Sequence, residues 1–242
     1  MLGTILSLAE EAMAAETPAA ASHAFHQAIA QHGATYLQTR LYHRPGVPLT
    51  SASHWAAGGF VARFARPGWV GSEAFNFICF ECNPLLGAIR SGRTRYRFSD
   101  FAGHDDKTYG TYWDALSEAG IAEALCATAY GSGRRIASLH MGFDRRRFEP
   151  GLAEAIQTAG MMLAEKMILH EPEAAADIRE LSSRERDCLG FVAEGKTDWE
   201  IGQILGISET TARFHVDNAR RKLDAVNRAH AVARFLAING LF

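Results

Sequence analysis

The alternation of apolar and polar positions divides the chain into a longer part of mixed helix and strand and a shorter part that is helical throughout. Residues 1–32 show helical periodicity in two pieces, broken near Pro18. ATYLQTRLYH (34–43) has the aromatic and β-branched mix of a strand, and a loop holding Pro45 and Pro48 follows. GGFVARFA (58–65) predicts another short strand. From Trp69 to Gly92 the pattern is apolar and partly helical, with Pro84 at a helix start, where its missing N–H costs little. TYGTYWDALSEAG (108–120) predicts an amphipathic helix ending at Gly120, and two strand-like runs flank a hairpin signal at Gly131-Ser132-Gly133. A long helix follows over 149–171, ended by Pro172. These elements predict an α+β fold: an N-terminal α/β/α sandwich on an antiparallel sheet (1–171), a linker (172–180) and a C-terminal helical domain (181–242).

The C-terminal segment has the layout of a helix-turn-helix. Ser182 or Ser183 caps a first helix that Gly195 ends, and Thr197 caps DWEIGQIL, whose Ile201, Ile204 and Leu205 fall on one side. Gly206 supplies the sharp turn, because it tolerates positive φ. Ser208 caps a third helix, with Glu209 at its positive end. There Ala212, Val216, Ala219 and Leu223 recur at intervals of four, three and four, which predicts a buried stripe. Arg213, Asp217, Arg220 and Asp224 follow one position later and face out, flanked by Phe214, Asn218 and Arg221. Arginine can bind guanine bidentately and a carboxylate can accept from cytosine, so this face suits the DNA major groove.

Composition adds limits. The 242 residues are 48% hydrophobic and 21% charged, ordinary for a globular protein, with a net charge of −2. Within 210–223 four positive side chains face Asp217 alone, whereas 177–242 holds ten charges of each sign. Binding would therefore depend on a few placed phosphate contacts (Lys196, Thr197, Thr210, Thr211, Lys222) and on dimerisation. No stretch approaches a membrane span, and Glu10 and Glu11 interrupt the apolar N-terminus, so it reads as an amphipathic helix rather than a secretory signal. Four cysteines without a disulfide framework predict a cytoplasmic protein. Cys79-x-x-Cys82 has the spacing of a redox couple or half a metal site, but FICFECNP reads as apolar core. The scattered histidines form no metalloenzyme motif, and no phosphate-binding G-x-x-x-x-G-K-[ST] occurs, so neither a metal nor an enzymatic activity is expected.

At the level of motifs, the last 62 residues closely resemble the DNA-binding domain of LuxR-type regulators. The resemblance lies in L-S-x-R-E-R with Glu185, A-E-G-K-T (193–197), E-I-x-x-I-L-x-I-S (200–208), T-x-R-F-H-V-x-N (211–218), Lys222-Leu223 and the closing A-V-A…G-L-F. It implies a four-helix domain whose third helix enters the major groove, with Arg213, Phe214 and Asp217 as base contacts. It also implies a last helix, roughly 227–238, that packs against its copy in a homodimer on a two-fold-symmetric operator.

The first part is similar to the acyl-homoserine-lactone domain of quorum-sensing LuxR-type receptors, through NPLLGAIRSGRTRYRFSDF (83–101) and YWDALSEAGIAEAL (112–125). It departs from that pattern at several anchors. Asn83 stands where the family has an Asp that accepts the ligand amide. A lactone-binding Trp falls at Trp69 only if one extra residue is allowed, and the Tyr after it becomes Glu73 or Ala74, with Phe75 adjacent. Phe98 replaces a second Trp, Ala124 a Gly, and His140 a small hydroxyl residue. The resemblance implies no catalytic cofactor but a small-molecule effector, an acyl- or aryl-homoserine lactone or an atypical relative; the alternatives are a non-lactone effector and a side-chain-filled cavity that needs none. The pocket candidates are Tyr36, Tyr42, Trp55, Phe60, Trp69, Phe75, Asn83, Phe98, Tyr112, Trp113 and His140.

Overall fold

A computed structural model describes residues 2–170 and 181–238. The linker expected over 172–180 lies outside the described residues. Two compact units divide the chain: a larger one from residues 2–131 and 135–170, and a smaller one that contains residues 181–238.

The larger unit is built on a five-stranded sheet in the order β2-β1-β5-β4-β3, antiparallel throughout. Its strands are β1 (Ala34–His43), β2 (Phe60–Phe64), β3 (Arg95–Arg97), β4 (Glu123–Tyr130) and β5 (Arg135–Phe143). Three helices, α1 (Leu2–Ala14), α2 (Pro18–Ala30) and α7 (Leu152–His170), cover one face. Thr17 caps α2 through its hydroxyl, with Pro18 at the first helical position, which is why the N-terminal helix breaks there. Leu37 and Leu41 of β1, Leu125 of β4 and Leu139 of β5 pack with Phe25, Ile156 and Leu163 into a core on this side.

The opposite face carries short pieces: α3 (Ser51–Ala56), α4 (Glu73–Asn76), a π-helical turn (Phe77–Glu81), α5 (Leu86–Arg90) and α6 (Gly110–Glu118). Here a second, mostly aromatic cluster forms around Trp69, Phe75, Tyr96, Phe98 and Tyr112. Strand periodicity distributes the two cores: along β1, Leu37, Thr39 and Leu41 point to the long helices, whereas Tyr36, Gln38, Arg40 and Tyr42 point to the aromatic side. Among the described residues no helix is long and apolar enough to cross a membrane.

The smaller unit contains α8 (Ser183–Ala193), α9 (Asp198–Leu205), α10 (Glu209–Lys222) and α11 (Arg228–Ile238). Ser182 and Thr197 cap α8 and α9, each in a reciprocal box with a glutamate three residues on. Gly206 ends α9 at φ 66°, the left-handed conformation that the turn requires. Ala212, Val216, Ala219 and Leu223 are all buried, as their spacing predicts. Ile201 is buried and Leu205 packs against the same core, as expected, but Ile204 is 50% exposed and Gly202 takes the inner position beside Ile201. The physical reason is the close crossing of the turn, since a Cβ on Gly202 would stand 2.8 Å from the Ile207 carbonyl oxygen.

Candidate effector cavity and DNA-reading face

Between the sheet and the short helices lies a cavity of about 80 Å³, room for a few water-sized groups. Of the pocket candidates, Tyr36, Tyr42 and His140 reach it from the sheet, and Trp55, Trp69 and Phe75 from the α3–α4 region. Asn83, Phe98 and Tyr112 complete the set. Trp69 is 5% exposed, stacks edge-on against Tyr36 (5.6 Å) and Phe75 (5.1 Å), and has an indole N–H with no acceptor. The Asn83 amide nitrogen donates to the Cys79 carbonyl at 3.2 Å, leaving its Oδ1 as an acceptor.

Two candidates lie elsewhere. On α6, Tyr112 and Leu116 line the cavity, four residues apart on one side of the helix. Trp113, one position on, is rotated away by about 100°; it donates to the Ala102 carbonyl (3.0 Å) and stacks against His104 (3.9 Å). Phe60 is 40% exposed at the start of β2, where it supports the Arg40 and Arg63 guanidiniums at 4.6 and 4.3 Å.

Five polar residues of the wall escaped sequence reasoning. Gln38, Arg40, His54, Thr128 and Ser138 all line the cavity. Two of them were accessible from the pattern: Gln38 and Arg40 alternate with Tyr36 and Tyr42 on the same strand face. The Tyr36 hydroxyl donates to Gln38 Oε1 (3.0 Å), which also accepts from Arg63 Nε (2.9 Å). Arg40 Nη1 lies 2.8 Å from His54 Nε2. Because arginine only donates, Nε2 is the acceptor and the imidazole proton sits on Nδ1.

Burial and the nearby Arg40 charge push His54 down to about 3 and His140 to about 4. Both imidazoles are therefore neutral in the folded chain through pH 5, while in the unfolded chain they protonate near 6.5. Their penalty is absent above pH 6.5 and grows as pH falls, to about 4 for His140 and about 3 for His54. Each proton withheld costs about 1.4 kcal/mol per pH unit in that window. Urea unfolding of the larger unit at pH 7 and pH 5 should show this loss, and His140→Gln should shrink it by about half; an unchanged slope would contradict the assignment.

Cys79 and Cys82 are free, and Cys79 borders the cavity. Burial pushes the Cys79 thiol up to about 12 and raises Cys82 as well, which suppresses the thiolate that redox exchange requires. No group of metal-ligating side chains forms among the described residues.

On the smaller unit, the exposed face of α10 presents Arg213, Phe214 (57% exposed) and Asp217. Arg213 bonds Glu209 (2.8 Å) and Asp198 (3.2 Å), so its guanidinium is held at the N-terminal half of α10. Asn218 accepts from Arg221, and Arg220 donates to the Ala225 carbonyl. Thr197 and the exposed Thr210 lie at the first turns of α9 and α10, and Thr211 donates its backbone N–H to the Ser208 cap. Lys196 lends its carbonyl to Arg228. The ammonium of Lys222, expected as a phosphate contact, is 2.7 Å from Glu185, itself 4% exposed, and so holds α10 to α8.

Residues 179–235 match the family described as bacterial regulatory proteins, luxR family. SolR of Ralstonia nicotianae, a transcriptional activator, is 51% identical over 67 residues, which span 28% of this chain and 27% of SolR; the chain spans about a quarter of the length of several such relatives. Escherichia coli SdiA has a similar crystal structure (TM-score 0.58, 20% identity, 100% of this chain and 99% of SdiA), as does SdiA in complex with octanoyl-rac-glycerol (TM-score 0.57). The quorum sensing-dependent transcriptional regulator RpaR of Rhodopseudomonas palustris is 30% identical over 228 residues, covering 92% of this chain and 88% of RpaR. A match of that extent, across the residues of both units, makes this chain a member of the luxR family of bacterial regulatory proteins.

Proposed function

We propose that this regulator binds a small acyl-lactone-like effector in the cavity and, as a cytoplasmic homodimer, reads a two-fold-symmetric operator through α10. The observation that carries the effector reading is the Trp69 indole N–H, buried in the cavity wall without an acceptor. A buried donor left unpaired costs about 1–3 kcal/mol, and an effector carbonyl would recover it. Asn83 Oδ1 can accept the effector's amide N–H, in a neutral bond weaker than a carboxylate would make. SdiA, similar in fold, has been crystallised with octanoyl-rac-glycerol, which supports an acyl-chain occupant. Since the cavity is only about 80 Å³, an acyl tail must displace the aromatic wall, and occupancy is thereby coupled to the packing of the unit. Binding to the folded chain alone stabilises it by about 2.7 kcal/mol at a concentration one hundred times Kd, and favours the dimer by mass action.

Thermal unfolding with a panel of acyl- and aryl-homoserine lactones tests this. At least one should raise the Tm, and Trp69→Phe should weaken its binding by roughly 10–100-fold. A panel without any shift, or a shift that Trp69→Phe leaves intact, would sink the assignment.

A further inference from the structure

The cavity has a second polar pole, and we propose that it receives an anionic oxygen, a carboxylate or phenolate, at the far end of the effector's tail. This rests on the reading of the cavity as an effector site. Its centre is Arg40, only 2% exposed and with no carboxylate among its partners in the described residues. No aspartate or glutamate lines the cavity among the described residues. A buried charge is normally paired, because desolvation costs several kcal/mol per ion. Arg40 instead has dipoles and rings: Nε and Nη2 donate to the Gly58 carbonyl (2.9 and 2.7 Å) and Nη2 to the His54 carbonyl (3.0 Å). Tyr42 and Phe60 lie against its guanidinium at 4.4 and 4.6 Å.

Nη1 spends one N–H on His54 Nε2, and its second is left for an incoming acceptor. A second cation stands close by, for Arg63 rests on Phe60 at 4.3 Å and its Nη2 is buried without a partner. The cross-strand register places Ser138 of β5 opposite both Arg40 of β1 and Thr128 of β4, so two hydroxyls share the row with the guanidinium. This pole stands apart from the Trp69 anchor. Trp69 packs on Tyr36, four residues before Arg40 on the same strand face, a separation of about 13 Å along β1. An occupant whose carbonyl meets Trp69 and whose tail runs along the sheet would end beside Arg40. A methyl terminus there leaves the buried charge uncompensated, whereas an anionic oxygen supplies the missing partner in a charge-assisted bond.

The full-length protein is titrated with two probes of equal length, N-decanoyl-homoserine lactone and N-(9-carboxynonanoyl)-homoserine lactone, and with a phenol-terminated lactone as a third arm. The carboxylate or the phenol probe should bind at least roughly tenfold tighter than the decanoyl probe, and the tighter of the two identifies the source of the oxygen. Arg40→Gln should bring the preference to within about threefold, and Arg40→Lys, which keeps the charge, should retain part of it. The wild-type comparison decides the matter even if Arg40→Gln does not fold. Equal or tighter binding of the decanoyl probe overturns this inference and leaves the effector site standing. Failure of all three probes to bind overturns both.

Discussion

Replacing Glu185 by alanine is expected to destabilise the smaller unit by about 3 kcal/mol, a large share of what a domain of this size possesses. Glu185 is 4% exposed and its Oε2 receives both the Ser182 backbone N–H and the Lys222 ammonium, each at 2.7 Å. One carboxylate therefore closes the cap of α8 and fastens the last turn of α10. Removing it takes the buried carboxylate from beside Lys222 and leaves the Ser182 N–H without its acceptor. Burial pushes the Glu185 carboxyl up, but the Lys222 and Ser182 bonds outweigh it, and the group is held below its ordinary value of 4.5. A lowered carboxyl contributes stability that is present above that ordinary value and disappears as pH falls through the folded one. Chemical denaturation at pH 7 should show the full deficit of Glu185→Ala, and the gap from wild type should narrow below about pH 4. A deficit within about 0.5 kcal/mol at pH 7 would show that the ion pair is solvated and dispensable.

The second large effect concerns DNA. Arg213→Ala should lower affinity for the preferred operator by roughly 10–100-fold while leaving non-specific binding and stability nearly unchanged. The Arg213 side chain is 61% exposed, so its ion pairs with Asp198 and Glu209 add little to folding. To read a base it must give up those carboxylates, which hold it in place meanwhile. Lys196→Ala, by contrast, should weaken all sequences alike and flatten the salt dependence, as a phosphate contact does. Fluorescence anisotropy on an operator selected from random duplexes separates the two outcomes. Unaltered sequence preference in Arg213→Ala would remove it as a reader.

Much of this architecture was determined by local pattern alone. Caps, breakers and periodicity set the helix-turn-helix, from Ser182, Thr197 and Ser208 to the left-handed Gly206 and the stripe from Ala212 to Leu223, because those signals act within a few residues of chain. The same logic placed the two N-terminal helices around Pro18 and the β4–β5 hairpin. Tertiary structure alone decided the inside of the cavity. Its wall draws on four strand faces and several short helices, so whether Trp113 or Tyr112 faces inward depends on the roll of α6 against the sheet. The pairing of Lys222 with Glu185, 37 residues apart, and of Arg40 with His54 of α3 and Gly58 just after it likewise has no local signature. Charge placed on a strand or helix can be read from sequence; what satisfies it, or fails to, is settled only when distant segments pack.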